Sequence, residues 1–163
     1  RFGYFSYFKN NEEIIKNFKK YGPEPFDLLF DKKYIFNYFK NKKKNIKNFL
    51  IDQNFVSGIG NIYASEILFL CKILPSKVVS SLSLSDCQKI SHFSKVVLRK
   101  AIEKGGSSIR DFKNISGDQG SFQKNFNVYQ RENKKCLKYS CKGTIHKKFI
   151  SNRSSFFCNL CQK

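Results

Sequence analysis

Residues 55–66 read Phe55-Val56-Ser57-Gly58-Ile59-Gly60-Asn61-Ile62-Tyr63-Ala64-Ser65-Glu66, a glycine turn that opens straight into a run of helix-compatible residues. Such a turn leaves backbone N–H groups and the positive end of a helix dipole facing outward, which suits a phosphate. Glycine turns between helices are also common for steric reasons alone, so the meaning of this one depends on its surroundings. A helix from about Ile62 to Cys71 follows it.

Working outward, Tyr34, Ile35, Tyr38 and Phe39 recur at helical spacing, and Ile46, Phe49 and Leu50 do so again after the basic run Lys42-Lys43-Lys44. A fourth helix is expected to start at Ser83, whose hydroxyl can cap it with Asp86 three residues on. Its buried stripe is Leu84, Cys87, Ile90, Val97, Leu98, Ala101 and Ile102, and Gly105-Gly106 ends it. Tyr21-Gly22-Pro23-Glu24-Pro25 reads as a linker, because its prolines fix φ and restrict the residues before them. Arg1 to Phe8 has the aromatic density of a strand, but one strand makes no sheet. Residues 116–127 show no sustained period and read as a mobile loop.

The second strong pattern is Cys136-x4-Cys141-x16-Cys158-x2-Cys161. Two close cysteine pairs separated by a hairpin-length segment supply four soft ligands for tetrahedral zinc, one structural Zn2+ in all. Ile145, Phe149, Ile150, Phe156 and Phe157 are the apolar members of that hairpin, with Ser151-Asn152-Arg153-Ser154 at its tip. The alternative is two disulfides in a secreted module, which a reducing compartment disfavours. Cys71 and Cys87 lie on helical stripes as small hydrophobes. His146 is expected to be a strand residue.

The 163 residues carry 31 Lys and Arg against 12 Asp and Glu, a formal charge of +19. That imbalance points to a polyanion such as nucleic acid. Part of it can also reflect an AT-rich coding composition, since Lys, Asn, Ile and Phe are all abundant. The excess is concentrated late: residues 121–163 hold ten Lys or Arg against Glu132 alone. No apolar run reaches the roughly 18 residues needed to cross a bilayer, and no signal peptide is evident, so a cytoplasmic protein is expected. With no Met and a start at Arg1 inside a strand-like run, the chain is expected to be cut from a longer polypeptide.

The runs NFVSGIGNIYASEILF, GPEP upstream, GGSSIRDF and VYQR downstream, and the terminal CNLCQK together resemble formamidopyrimidine-DNA glycosylase, in that family's order and over nearly the whole chain. The resemblance implies a mainly α fold: a helix-two-turn-helix domain followed by a β-hairpin zinc finger, with a leftover amino-terminal strand. It divides the chain into residues 1–22 (strand and linker), 23–117 (helical DNA-binding domain) and 118–163 (lesion-side loop and finger).

It further implies a bifunctional glycosylase and apurinic-site lyase, a monomer acting on duplex DNA that contains oxidised purines or abasic sites, with the damaged nucleotide flipped out of the stack. By position, Arg1 and Phe2 match a strand that fills the gap left by the flipped base. Lys42 and Lys47 match lysines near the DNA backbone, and Asn61 matches an asparagine on a phosphate beside the lesion. Arg110 fits a basic residue near the lesion loop. Arg153 matches a finger arginine that grips phosphate and assists elimination. Against these stand plainer roles: solvated helix charges for Lys42 and Lys47, a core position for Phe2, and pairing of Arg110 with Asp111.

The chain departs from the family in two ways. The family's nucleophile is an amino-terminal proline followed by a glutamate, whereas Pro23, Pro25 and Pro75 are internal, with acylated nitrogens that form no Schiff base. This piece is therefore expected to bind and not to cut. The first cysteine pair has four intervening residues where the family has two. The rival reading is a non-catalytic zinc-ribbon nucleic-acid binder, such as a ribosomal or transcription-associated protein.

Overall fold

A computed structural model describes residues 5–107 and 120–163. Five α-helices precede a hairpin: α1 (Asn11–Phe18), α2 (Lys32–Phe39), α3 (Ile46–Leu50), α4 (Asn61–Cys71), α5 (Leu84–Glu103), β1 (Ile145–Ile150) and β2 (Arg153–Cys158). Short 3-10 turns lie at Val79–Ser81 and Phe122–Asn125. The helices expected from apolar spacing are all present. Ser83 caps α5 in a complete capping box with Asp86, and Gly105 and Gly106 follow its end with positive φ.

The main core gathers Phe30, Ile35, Phe39, Ile46, Leu50, Phe55, Ile67, Leu68 and Ile90, all at most 2 % exposed. Phe55 sits among aromatic rings, 4.9 Å from Phe39 and stacked at 5.9 Å on Tyr34, whose hydroxyl donates to the Phe55 carbonyl. Burial of these rings fixes the segment that leads into Gly58, so the glycine turn projects directly from the main core. The five-residue α3 is too short to persist alone. It is held by Ile46 N–H donating to Lys77 O and Val79 N–H donating to Lys44 O. A second, smaller cluster, Phe69, Val128, Cys136, Ile145, Phe156 and Cys158, belongs to the finger, and Phe69 of α4 joins it to the helices.

Four expectations change. Residues 5–8 form no strand, because no neighbouring strand among the described residues pairs with them. The proline-rich segment is anchored: Gly22 N–H donates to Gln53 O, Ser57 Oγ–H to Gly22 O and Ser57 N–H to Pro23 O. Of the stretch read as a loop, Phe122 and Phe126 are buried in the main core. The hairpin tip is two residues, Ser151 and Asn152, with Arg153 and Ser154 already in β2 and Ile150 paired with Arg153.

Candidate nucleic-acid interface and metal centre

At the start of α4 the cap position is Gly60, and no side chain caps the helix. A methyl group added at Gly60 would meet nothing within 4 Å, and its φ of −98° is open to any residue. Among the described residues neither packing nor conformation therefore demands glycine there. What glycine provides is a backbone that an outside group can approach closely.

Asn61 reaches from this turn to the finger. Its Nδ2 donates to the Ser154 carbonyl at 3.0 Å and to the Tyr129 hydroxyl at 3.4 Å, while Oδ1 is buried without a partner among the described residues. Ser154 follows Arg153, so the structure brings Asn61 and the Arg153 backbone to one place although 92 positions separate them in sequence. Arg153 itself is exposed and forms no ion pair among the described residues.

Lys47 is not a solvated helix charge. It is fully buried beneath the turn, its ammonium donating to Asn61 O at 3.1 Å and Ser65 Oγ at 2.8 Å. No carboxylate pairs with it among the described residues, and burial pulls its ammonium down to about 7. At Lys47 the unfolded chain then holds a proton that the folded chain gives up between about pH 7 and 10.5, so this residue's contribution to stability rises across that window and is flat below it. The slope is at most ~1.4 kcal/mol per pH unit. Above about pH 9 the buried thiols of Cys71 and Cys87, which burial keeps protonated, contribute slopes of the opposite sign. The test is therefore a difference: urea unfolding at stepped pH should show a slope more positive in the parent than in Lys47→Met across this window, and equal slopes would refute it. Lys42 is half-buried, with its ammonium 3.7 Å from the Tyr38 ring centre. Arg1, Phe2 and Arg110 lie outside the described residues.

Sequence reasoning passed over two residues. Glu66, 1 % exposed, accepts from Asn127 N–H and Nδ2, Val128 N–H and Tyr129 N–H at 2.9–3.0 Å, and so ties α4 to the segment that leads into the finger. Tyr129 packs on Phe126 and Phe156 with its hydroxyl against Asn61. An acid in the apolar second turn of α4 was the available signal for Glu66.

The four finger cysteines, all free thiols, place their sulfurs within 4.8 Å of one another. Separations of 3.7 Å (Cys136 to Cys161) and 3.8 Å (Cys141 to Cys158) match the roughly 3.8 Å edge of a tetrahedron with zinc–sulfur bonds of about 2.3 Å, while Cys141 to Cys161 is shorter at 3.1 Å. Backbone N–H groups of Lys138, Gly143 and Cys161 point at Cys136, Cys141 and Cys158. Such donors stabilise thiolates, and the set fits a soft divalent cation. The longer first pair is accommodated by an outward loop in which Ser140 takes a φ of 59° and Tyr139 is 94 % exposed. His146 lies on β1 against Phe157, away from the sulfurs' coordination set.

Fold and site together define a helix-two-turn-helix module with a four-cysteine finger folded back on its first turn. The formamidopyrimidine-DNA glycosylase H2TH domain model matches residues 21–113, and the chain belongs to that family. It is 40 % identical over all 163 residues to the formamidopyrimidine-DNA glycosylase of Haemophilus influenzae, covering 59 % of it. It is 41 % identical over 142 residues to that of Cereibacter sphaeroides, covering 87 % of this chain and 50 % of the relative. Among solved structures, a Lactococcus lactis Fpg mutant in complex with Fapy-dG containing DNA superposes with a TM-score of 0.85 at 35 % identity, over 93 % of this chain and 56 % of that one. MutM (Fpg) from Thermus thermophilus gives 0.83 at 30 % identity, over 94 % and 57 %. The chain thus spans little more than half the length of the relatives it matches. No described helix is long and apolar enough to cross a membrane.

Proposed function

We propose that this chain is the DNA-gripping part of a base-excision repair glycosylase and apurinic-site lyase that removes oxidised purines from duplex DNA. The observation that carries this reading is the hydrogen bond from Asn61 to the Ser154 carbonyl, which sets an open helix start beside an exposed arginine that has no ion-pair partner among the described residues. Backbone N–H groups at Gly60 and Asn61 and the Arg153 guanidinium would take phosphates of one strand, positioning the protein without reading sequence. Lys42 would add to the grip, while Lys47 would act from beneath, holding the Asn61 carbonyl. Arg1 and Phe2 would fill the gap left by the flipped nucleotide, with Arg110 near the lesion and Arg153 assisting elimination.

One zinc on Cys136, Cys141, Cys158 and Cys161 would be structural, fixing the hairpin that presents Arg153. Three observations support the glycosylase over a zinc-ribbon binder: the family match lies on the helices, relatives of both names above are glycosylases, and the Lactococcus protein is seen on lesion DNA. A cytoplasmic location beside the nucleoid goes with such a partner.

The lyase reaction needs an amine that attacks the sugar; the family resemblance gives that role to an amino-terminal proline and to none of the lysines, and Pro23, Pro25 and Pro75 are amides. Borohydride is accordingly expected to trap no adduct between this chain and abasic-site DNA, while the chain joined to the amino-terminal half of a family enzyme is trapped. A trapped adduct with this chain alone would place the nucleophile within it and overturn the division of labour; failure of the joined protein would count against the enzyme reading.

A further inference from the structure

We propose that Ser151 and Asn48 form a latch that holds the hairpin tip on α3 and thereby aims Arg153; the inference rests on the reading of Arg153 as a phosphate ligand. Ser151 Oγ–H donates to Asn48 Oδ1 at 2.6 Å across 103 residues. A lone two-stranded hairpin is marginal in water, so the aim of its tip must come from contacts outside the hairpin. At the start of β2 one such contact is Asn61 Nδ2 on the Ser154 carbonyl. At the loop itself it is the Ser151 to Asn48 bond.

Apolar packing reaches the hairpin only up to the buried Ile150; the loop residues Ser151 and Asn152 are exposed, and the two latch residues border an open cleft of about 280 Å³ lined also by Lys44, Phe49, Ile51 and Asp52. The choice of residue points the same way. Ser151 and Asn152 have φ of 49° and 57°, the two-residue loop with both φ positive that favours Asn and Gly. Serine is a poor choice for that backbone at the first position, and its hydroxyl supplies what the turn alone does not ask for. The two supports, one on α3 and one at the start of α4, flank Arg153 and fix it relative to the Gly58–Asn61 turn. Freed of the latch, the tip would spend only part of its time in the gripping orientation, and apparent affinity falls by that fraction.

The test measures binding of the full chain to a duplex with a central abasic-site analogue, together with backbone order at Asn152 and Arg153 by amide relaxation. Ser151→Gly keeps the turn and removes the hydroxyl; Asn48→Ala leaves the tip sequence untouched. Each is expected to weaken binding about 3- to 10-fold, the range of one neutral hydrogen bond, with the double variant no weaker than either single. The slope against salt should be unchanged, since no charge is lost. Arg153→Ala should cost less in the Asn48→Ala background by that same factor. Ser151→Asn, which tolerates positive φ and keeps a donor, should restore binding and tip order.

Asn48→Ala with parental affinity and parental tip order would overturn the latch. So would weaker binding with the full Arg153→Ala cost retained, which is the mark of a merely structural loss. A parent chain that binds no duplex would instead defeat the functional reading, and the latch would then be judged by tip order alone.

Discussion

Stripping zinc from the purified chain is expected to unfold residues 128–163 while leaving most of the helical signal in place. The finger's own apolar cluster is six buried residues, two of them the cysteines Cys136 and Cys158, and one, Phe69, is borrowed from α4. So small a core does not offset the entropy of ordering some 35 residues without a staple. Metal binding of a four-thiolate site is worth about 10–16 kcal/mol in isolated fingers, and that free energy is folding free energy. The helices have a core of their own built on Phe30, Ile35, Phe55 and Ile90, against which Tyr129 packs from the finger side without being buried in it. Metal analysis should give about one zinc per chain, and chelation should abolish hairpin amide protection while far-ultraviolet dichroism at 222 nm falls only slightly. A full helical collapse on chelation, or zinc-free protein with an intact hairpin, would refute the two-cluster account.

Glu66→Ala is expected to destabilise the chain by about 4 kcal/mol, the largest effect of any single substitution considered for this fold. Its carboxylate takes four N–H bonds from Asn127, Val128 and Tyr129 and has no cation within ion-pair distance among the described residues. Truncation would strand three backbone donors and one amide in a nearly dry site, and each unmet buried group costs about 1–3 kcal/mol. Glu66→Gln would keep the shape but turn an N–H toward donors, and should recover only part of the loss. Urea denaturation reads the difference directly; a change below about 1 kcal/mol would mean that water replaces the carboxylate and that the joint is not held as described.

Much of this was legible in the sequence because each signal is local. Apolar residues at helical spacing placed α2, α3 and α5, the glycine turn placed the start of α4, Ser83 and Asp86 placed a cap, and cysteine spacing placed the finger even with a long first pair. The joints between elements were not legible. Lys47 looks like one more surface lysine in a basic run, and nothing in its neighbours shows that Asn61 O and Ser65 Oγ will receive its ammonium. Glu66 pairs with backbone more than 60 positions away, and backbone N–H groups carry no sequence mark. The hairpin tip was drawn two residues too long because Ser151-Asn152-Arg153-Ser154 is uniformly polar, and only strand register separates loop from ladder. Phe122 and Phe126 escaped notice for a related reason: a single 3-10 turn is too short to show a period.

The most direct test of the central claim is duplex binding measured across salt for the parent chain, Arg153→Ala and Asn61→Ala. Both variants should bind more weakly with little regard to base sequence, because phosphate contacts position without reading bases. Loss of the Arg153 cation should also flatten the plot of log affinity against log salt by about 0.9, whereas loss of the uncharged Asn61 amide should leave the slope alone. That contrast marks two defined contacts on a surface of net charge +19, where one cation among 31 would otherwise count for little. Binding curves for both variants that overlay the parent at every salt concentration would contradict the account and leave only a diffuse basic surface.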